Sequence, residues 1–338
     1  MNKIIKISLV AALALASSAF GATVEGTATA YHYNKDGQSA KNDLALTLKV
    51  SEKFNENISA NVTVVAVDGA GQDRDNQIQD NGTLTTEANV VASYANTTVK
   101  AGRQYIQSPM LYSFDWKMKP VSYQAIALIN TDIKNTTVVV ADVQEMAGNT
   151  DTRFSKLNGT NRAYGAMYSN NGYSAQAWYY DIDALNYTQV YLDATKTFNN
   201  VYGNNIDGAV QVISTDANND SMAYAVKAST KVANMFDVTV ALADVQDGSG
   251  AYYVGGDSMY TSMWNSFAID EGEGVSSMIS ASTKVSEISV TTAYADYKDG
   301  FEANLIAGYS LTKQIDLNAV YSNTDSKKAV EFVASYSF

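Results

Sequence analysis

The chain ends in Val330-Glu331-Phe332-Val333-Ala334-Ser335-Tyr336-Ser337-Phe338, and this stretch decides which fold the rest can adopt. Large apolar residues recur at every second position, which is the side-chain period of a β-strand. As the last strand of an open sheet it would leave an unpaired edge, whereas in a barrel it pairs with the first strand. The alternation therefore predicts that Lys328–Phe338 closes a barrel. An edge or central strand of a soluble β protein is the alternative.

Segments of about ten residues with alternating polarity recur along the chain and are separated by turn residues. We count eighteen such segments, which predicts an all-β fold, an 18-stranded antiparallel transmembrane β-barrel. The connections alternate between short turns, such as those around 53–57 and 170–172, and longer loops, of which 246–274 is the longest. Short periplasmic turns at one end and long extracellular loops at the other are typical of outer-membrane barrels.

The first 21 residues have the features of a secretory signal peptide. Lys3 and Lys6 make the start of the chain basic, the apolar run Ile7–Ala16 follows, and small residues then lead to Gly21. No later apolar run approaches the roughly 20 residues of a membrane helix. Residues 22–338 contain no linker-like stretch, so we expect a single transmembrane β-barrel domain in the outer membrane of a Gram-negative bacterium.

The composition excludes several classes of function. There is no cysteine, so neither a disulfide framework nor a thiolate nucleophile is available. The net charge of −12 argues against nucleic acid as a partner. His32 is the only histidine, and a hydrolase in the barrel wall would have to use it as its base. A strand histidine beside an aromatic girdle is the simpler interpretation, and we predict no enzymatic activity.

The only two prolines, Pro109 and Pro120, both follow the fifth predicted strand, Thr98–Tyr105. Proline cannot donate to a strand ladder, so the segment at about 106–120 is predicted not to be sheet. A loop folded into the lumen at this point would narrow the channel and sort solutes by charge and size. The charged residues in or beside it form our predicted pore constriction: Arg103, Asp115, Lys117 and Lys119. A solvated surface loop is the alternative.

Alternation also makes predictions about the wall of the barrel. Counting from Val99, Arg103 should face lipid unless Gly102 forms a bulge or the position lies beyond the apolar band. Polar residues at alternate positions, such as Thr47, Lys49 and Gln211, should line a water-filled lumen.

The longest loop is rich in acidic residues, and carboxylates are the ligands that hard cations prefer. The candidate calcium ligands are Asp257, Asp270, Glu271 and Glu273. Their spacing matches no EF-hand loop, so a solvated acidic loop is the competing interpretation. We predict no other cofactor.

Four stretches resemble the major outer-membrane porins of Campylobacter-type bacteria and the wider group of OprD-like porins. They are the amino-terminal Met1–Gly21, Ala101-Gly102-Arg103-Gln104 leading to Pro109, Gly256–Trp264 and the terminal Ala334–Phe338. The resemblance implies an 18-stranded barrel, a homotrimer, and a third loop that constricts the lumen. OprD-like members often use a basic ladder for anionic substrates, and a chain with four arginines offers little for one.

The expected function is that of a porin, a passive channel for small hydrophilic solutes. The Campylobacter-type porins lean toward cations, which agrees with the acidic balance of this chain. The expected partners are outer-membrane lipid and lipopolysaccharide, and the insertion machinery that would read the terminal strand ending in Phe338. A surface adhesin or structural barrel, whose long loops bind another cell, is the alternative function.

Overall fold

The computed structural model describes residues 22–70, 80–116, 118–201, 203–218, 220–247, 254–268, 270 and 272–338. The predicted signal peptide lies outside these residues. The fold is a closed antiparallel β-barrel of 18 strands, which confirms the predicted fold class. The strands are β1 Thr23–Lys35, β2 Lys41–Lys53, β3 Ile58–Asp68, β4 Gly82–Tyr94, β5 Thr97–Gln104, β6 Ser122–Asn130, β7 Thr136–Ala147, β8 Asn161–Asn170, β9 Tyr173–Ile182, β10 Tyr187–Val201, β11 Asn204–Asp216, β12 Ser221–Val232, β13 Phe236–Gln246, β14 Gly274–Val285, β15 Ile288–Tyr297, β16 Gly300–Ser310, β17 Ile315–Thr324 and β18 Lys328–Ser337.

The barrel closes where the last strand pairs with the first. The antiparallel register runs from Thr27 opposite Ser337 to Lys35 opposite Ala329. Beyond it, Gly26 and Phe338 exchange two backbone hydrogen bonds of 2.9 Å. The terminal phenyl ring lies so close to Gly26 that a Cβ atom there would be 2.2 Å from it. The stretch that ends the chain therefore forms the seam, as its alternation predicts.

Connections at the two ends of the barrel differ in length. At the end where β1 begins and β18 ends, the connections are short turns, such as 95–96, 171–172 and 286–287. Asn171 and Gly172 have φ values of 47° and 77°, the positive pair that a tight two-residue hairpin turn requires. The opposite end carries 69–81, 105–121, 148–160 and 247–273. This segregation is the arrangement of an outer-membrane barrel.

Alternation divides the strands into an apolar outer face and an inner face. On β6, Ile126 and Leu128 are exposed on the outside, whereas Tyr123, Ala125 and Ala127 are buried inside. Since nothing in the described structure covers those apolar side chains, the outer face suits hydrocarbon.

Helical structure contributes little to the described part of the chain. Residues Asp183–Leu185 form a single 3-10 turn. Within the described ranges, no helix has the length and apolar character needed to cross a membrane.

The interior is polar in one part and apolar in another, whereas the expectation was a water-filled lumen lined by polar residues at alternate positions. Along β6 to β13 the inner face is largely apolar, and parts of the loops 105–121 and 247–273 pack against it. The buried cluster includes Met110, Leu111, Tyr123, Tyr180, Ile213, Ala223, Val245, Val254 and Met259. Along β1 to β5 and β18 the inner face carries polar groups instead. In the described part of the chain, the larger open space therefore lies along β1 to β5 and β18.

Candidate functional site: the constricted lumen

The segment 105–121, which we call the third loop, folds into the barrel. Tyr123 of the wall donates its hydroxyl to the carbonyls of Tyr112, at 3.0 Å, and Val254, at 2.7 Å. The Met110 amide donates to the Tyr180 hydroxyl across 3.2 Å, and Met110 has no solvent exposure. Exposing the apolar side chains of this loop to water would cost free energy, and here they are buried against the barrel wall instead.

Residues 247–273, which we call the long loop, also turn inward over their described part. Val254 forms a bridge to Leu111, which joins the long loop to the third loop. The tip of the long loop crosses the interior of the barrel and contacts the inner wall at β16 and β18. The Trp264 indole N–H donates to Glu331 at 2.8 Å, and the Asn265 amide donates to the Glu302 carboxylate at 3.0 Å.

Glu302 and Glu331 are almost completely buried, at 0% and 1% exposure. A buried carboxylate requires hydrogen-bond donors, and the loop tip supplies them. Asn265 adds a side-chain bond to Glu302 at 3.3 Å, and the Tyr31 hydroxyl donates to Glu331. The two carboxylates therefore fix the tip of the long loop across the lumen.

A cavity of about 800 Å³ lies along β1 to β5 and β18, and we call it the lumen passage. Its charged groups include two ion pairs, Glu25 with Lys49 at 3.3 Å and Glu87 with Lys100 at 3.6 Å. Its other polar lining residues are Thr27, Thr29, Thr47, Asn61, Thr63, Tyr105, Asp115 and Ser335. The passage is thus a polar path with charges of both signs.

Of the residues predicted to form the constriction, Asp115 lies in the lumen passage. Partial burial raises the pKa of this carboxyl above its usual range. Lys119 is buried and donates to the Gly148 carbonyl, and burial lowers its pKa to about 8 although Asp151 opposes the shift. Lys117 lies outside the described residues.

The structure does not bring Arg103 together with Asp115 in the passage. Lys100 lines the lumen, so alternation places Arg103 on the outer face, close to the loop end of β5. Its guanidinium lies 4.3 Å from the centre of the Phe154 ring and donates to the Thr85 carbonyl at 3.3 Å. These contacts compensate the charge where the strand ends.

The bulge proposed at Gly102 is absent, because pairing on both sides of β5 continues without a register shift. Irregularities occur in the neighbouring pairings instead, between Thr63 and Val64 and between Gln124 and Ala125. Gly102 is nevertheless unusual in having a φ of +118°.

Asp257 and Asp270 of the long loop lie within electrostatic range of each other. Asp257 accepts hydrogen bonds from the Met259 amide at 3.0 Å and the Ser262 hydroxyl at 2.7 Å, which fixes a turn of the loop. Burial raises its pKa to about 6. Glu271 lies outside the described residues. Among those described, no group of three or more His, Asp or Glu side chains is arranged to hold a metal ion.

His32 lies on the outer face of β1. Its Nδ1 atom is 2.7 Å from the Asn42 side-chain oxygen, and its ring centre is 6.1 Å from that of Phe332. This position beside an aromatic residue is the one that alternation predicts, and it faces away from the lumen.

Of the three residues predicted to line the lumen, Thr47 and Lys49 do so. Gln211 points inward but is buried under the long loop, where it donates to the Ser258 carbonyl at 2.9 Å. The prediction missed Glu87, Lys100, Glu302 and Glu331, which occupy inward positions of their strands. Alternation alone could have found them, because a charge at an inward position of a barrel strand faces the lumen.

The comparisons with known proteins agree with this geometry. The model of the family described as outer membrane porin, OprD family, matches residues 44–298. No curated protein matches the chain. Three similar solved structures illustrate the fold, and each covers 94% of this chain, which covers 98% of each.

These three are a BenF-like porin of Pseudomonas fluorescens (13% identity, TM-score 0.82), OccAB2 of Acinetobacter baumannii (16%, 0.80) and OpdK of Pseudomonas aeruginosa with vanillate (14%, 0.80). OprD-family porins are channels and not enzymes, so the hydrolase alternative based on His32 loses its support. With three quarters of its length matched by the family model and a closed barrel around a constricted lumen, the chain belongs to the OprD family of outer-membrane porins.

Proposed function

We propose that this channel for small hydrophilic solutes prefers cations. Family membership provides the coarser statement, a channel in the Gram-negative outer membrane. The preference is argued from the charges along the lumen passage, where each described lysine is offset by a carboxylate, Lys49 by Glu25 and Lys100 by Glu87.

The proposal rests on a further carboxylate in the passage, that of Asp115. Asp115 makes no ion pair within the described part of the chain, and it lines both the lumen passage and a second, smaller cavity beside the loops. An uncompensated negative charge at a narrow point attracts cations and repels anions.

The test is the reversal potential of the refolded porin in a planar bilayer under a KCl gradient. The wild-type potential should show a higher permeability for K⁺ than for Cl⁻. Asp115→Asn should lower that ratio by roughly 16-fold, because a unit charge about 5 Å away attracts K⁺ and repels Cl⁻ by about 0.8 kcal/mol each in water, which is about fourfold for each ion. Asp142→Asn removes the same charge from the pair with Arg162 on the outer wall and should leave the ratio unchanged. An anion-preferring wild type would refute the proposal.

Other expectations stay predictions. They are a homotrimer, contact with lipopolysaccharide, recognition of the strand ending in Phe338 by the insertion machinery, a calcium ion in the long loop, and kinship with the Campylobacter-type porins in particular. The adhesin alternative has no observation in its favour beyond the long loops themselves.

A further inference from the structure

The third loop and the long loop enclose a second cavity against the wall, of about 270 Å³, which we call the eyelet pocket. It adjoins the lumen passage, since Asp115 lines both. Its principal lining residues are Phe114, Asp115, Met263, Trp264, Asn304 and Ile306. A solute crossing the constriction would therefore pass the mouth of this pocket.

Two aromatic side chains of the pocket are held in place. Phe114 packs edge-on against Phe267, with ring centres 5.4 Å apart. Trp264 is fixed by its hydrogen bond to the buried Glu331. Rigid aromatic walls present π-faces at little cost in side-chain entropy, and such faces attract both apolar groups and cations.

The polar groups of the pocket favour one sign of charge. Among the described lining residues, Asp115 is the only charged one. Asn304 is 5% exposed, and its side-chain oxygen is buried without a hydrogen-bond partner in the described structure. An acceptor left without a donor keeps its partial negative charge uncompensated, so this oxygen adds to the negative potential that Asp115 creates at the pocket.

We propose that the eyelet pocket binds organic monocations, in which an ammonium group is attached to a small apolar or aromatic body. The ammonium group donates to the Asp115 carboxylate. The body of the cation occupies the space between Phe114, Met263 and Trp264. This inference rests on the proposed function, because the solute must reach the pocket through a cation-preferring passage.

The experiment is single-channel recording of the refolded porin with phenethylammonium, phenylacetate or 2-cyclohexylethylammonium in the bath. Phenethylammonium should interrupt the KCl current in discrete blocking events. Phenylacetate, which has the same ring and the opposite charge, should not. The cyclohexyl analogue should block with about two- to fivefold shorter dwell times, the equivalent of the 0.5–1 kcal/mol of a cation–π contact.

Two variants distinguish binding in the eyelet pocket from the general electrostatic attraction that any carboxylate in the lumen exerts on a cation. Asp115→Asn should shorten the phenethylammonium dwell time about tenfold or more, because it removes the charge-assisted hydrogen bond between the ammonium group and the carboxylate. Glu25→Gln removes a carboxylate of the lumen passage that does not line the pocket, and it should leave the dwell time nearly unchanged.

The outcomes distinguish the two proposals. Equal blocking by phenethylammonium and phenylacetate, or equal effects of Asp115→Asn and Glu25→Gln, would overturn the eyelet pocket while leaving cation preference intact. A wild-type channel without cation preference in the KCl gradient would refute the proposed function itself. Block that is specific for the ammonium compound and lost only in Asp115→Asn supports both.

Discussion

Gly102 shows how a single backbone position constrains the wall of the channel. Its φ of +118° lies in a region that residues with a side chain rarely adopt. A Cβ atom at this position would be 2.2 Å from the Ala88 carbonyl oxygen of the neighbouring strand. Glycine is therefore required at this position both for its conformation and for the close approach of β4. The adjacent Arg103 is held in its outward position by the same strand pairing.

We expect Gly102→Ala to lower the free energy of unfolding by more than the 1–3 kcal/mol typical of backbone strain alone, because a backbone clash is added. Gly203→Ala is the matched control. Gly203 also has a positive φ, +85°, but an added Cβ would meet no atom within 4 Å, so only the conformational cost applies. Urea unfolding of both variants in lipid vesicles, followed by heat-modifiable gel mobility, measures the difference. Equal destabilisation would show that the clash with Ala88 relaxes freely.

At the scale of secondary-structure elements, the long loop connects two parts of the barrel wall through the interior. It leaves the barrel between β13 and β14, yet its tip contacts Glu302 on β16 and Glu331 on β18. Hydrogen bonds to charged groups are worth about 1.5–3 kcal/mol each, so these contacts are a large part of what holds the loop inside. The width of the channel therefore depends on two carboxylates that no permeating solute needs to touch.

Glu302→Ala should release the loop tip while the strand pairing of β16, which uses backbone groups, is retained. We expect a larger single-channel conductance with more open-channel noise, and an unchanged heat-modifiable mobility. Glu25→Ala is the control, since Glu25 is a lumen-facing carboxylate that pairs with Lys49 and, in the described structure, makes no hydrogen bond to the long loop. A Glu302→Ala channel as narrow and as quiet as the wild type would mean that packing around Val254 suffices to hold the loop.

The strands and the inward folding of the third loop were predictable from the sequence, and the inward folding of the long loop was not. A period of two is a local property, so β18 and its neighbours could be located within a few residues. The inward folding of 254–268 depends on distant partners such as Glu302, which local patterns do not identify. A signal did exist, since Met110, Leu111 and Val254 are apolar residues in loops and had to be buried somewhere. Their burial against the inner wall is what makes the lumen narrow.

The whole molecule is a barrel whose interior is divided lengthwise. Along β6 to β13 the loops and the wall form a dry cluster that resembles the core of a soluble protein. Along β1 to β5 and β18 the inner wall stays polar and borders the lumen passage. The cluster gives the loops a rigid support, and the polar side provides the route for ions. Permeation is therefore expected to follow one wall.

Cysteine substitutions can map this asymmetry, because the chain contains no cysteine of its own. A water-soluble, charged methanethiosulfonate reagent added during bilayer recording should react with Thr47→Cys in the lumen passage and reduce the conductance. Ala223→Cys points to the same interior from β12, but Ala223 is 1% exposed within the dry cluster, so its reaction should be slower by orders of magnitude. The wild-type porin should not respond to the reagent. Similar rates at the two positions would mean that water fills both halves of the barrel, and the two loops would then have to be mobile in the membrane.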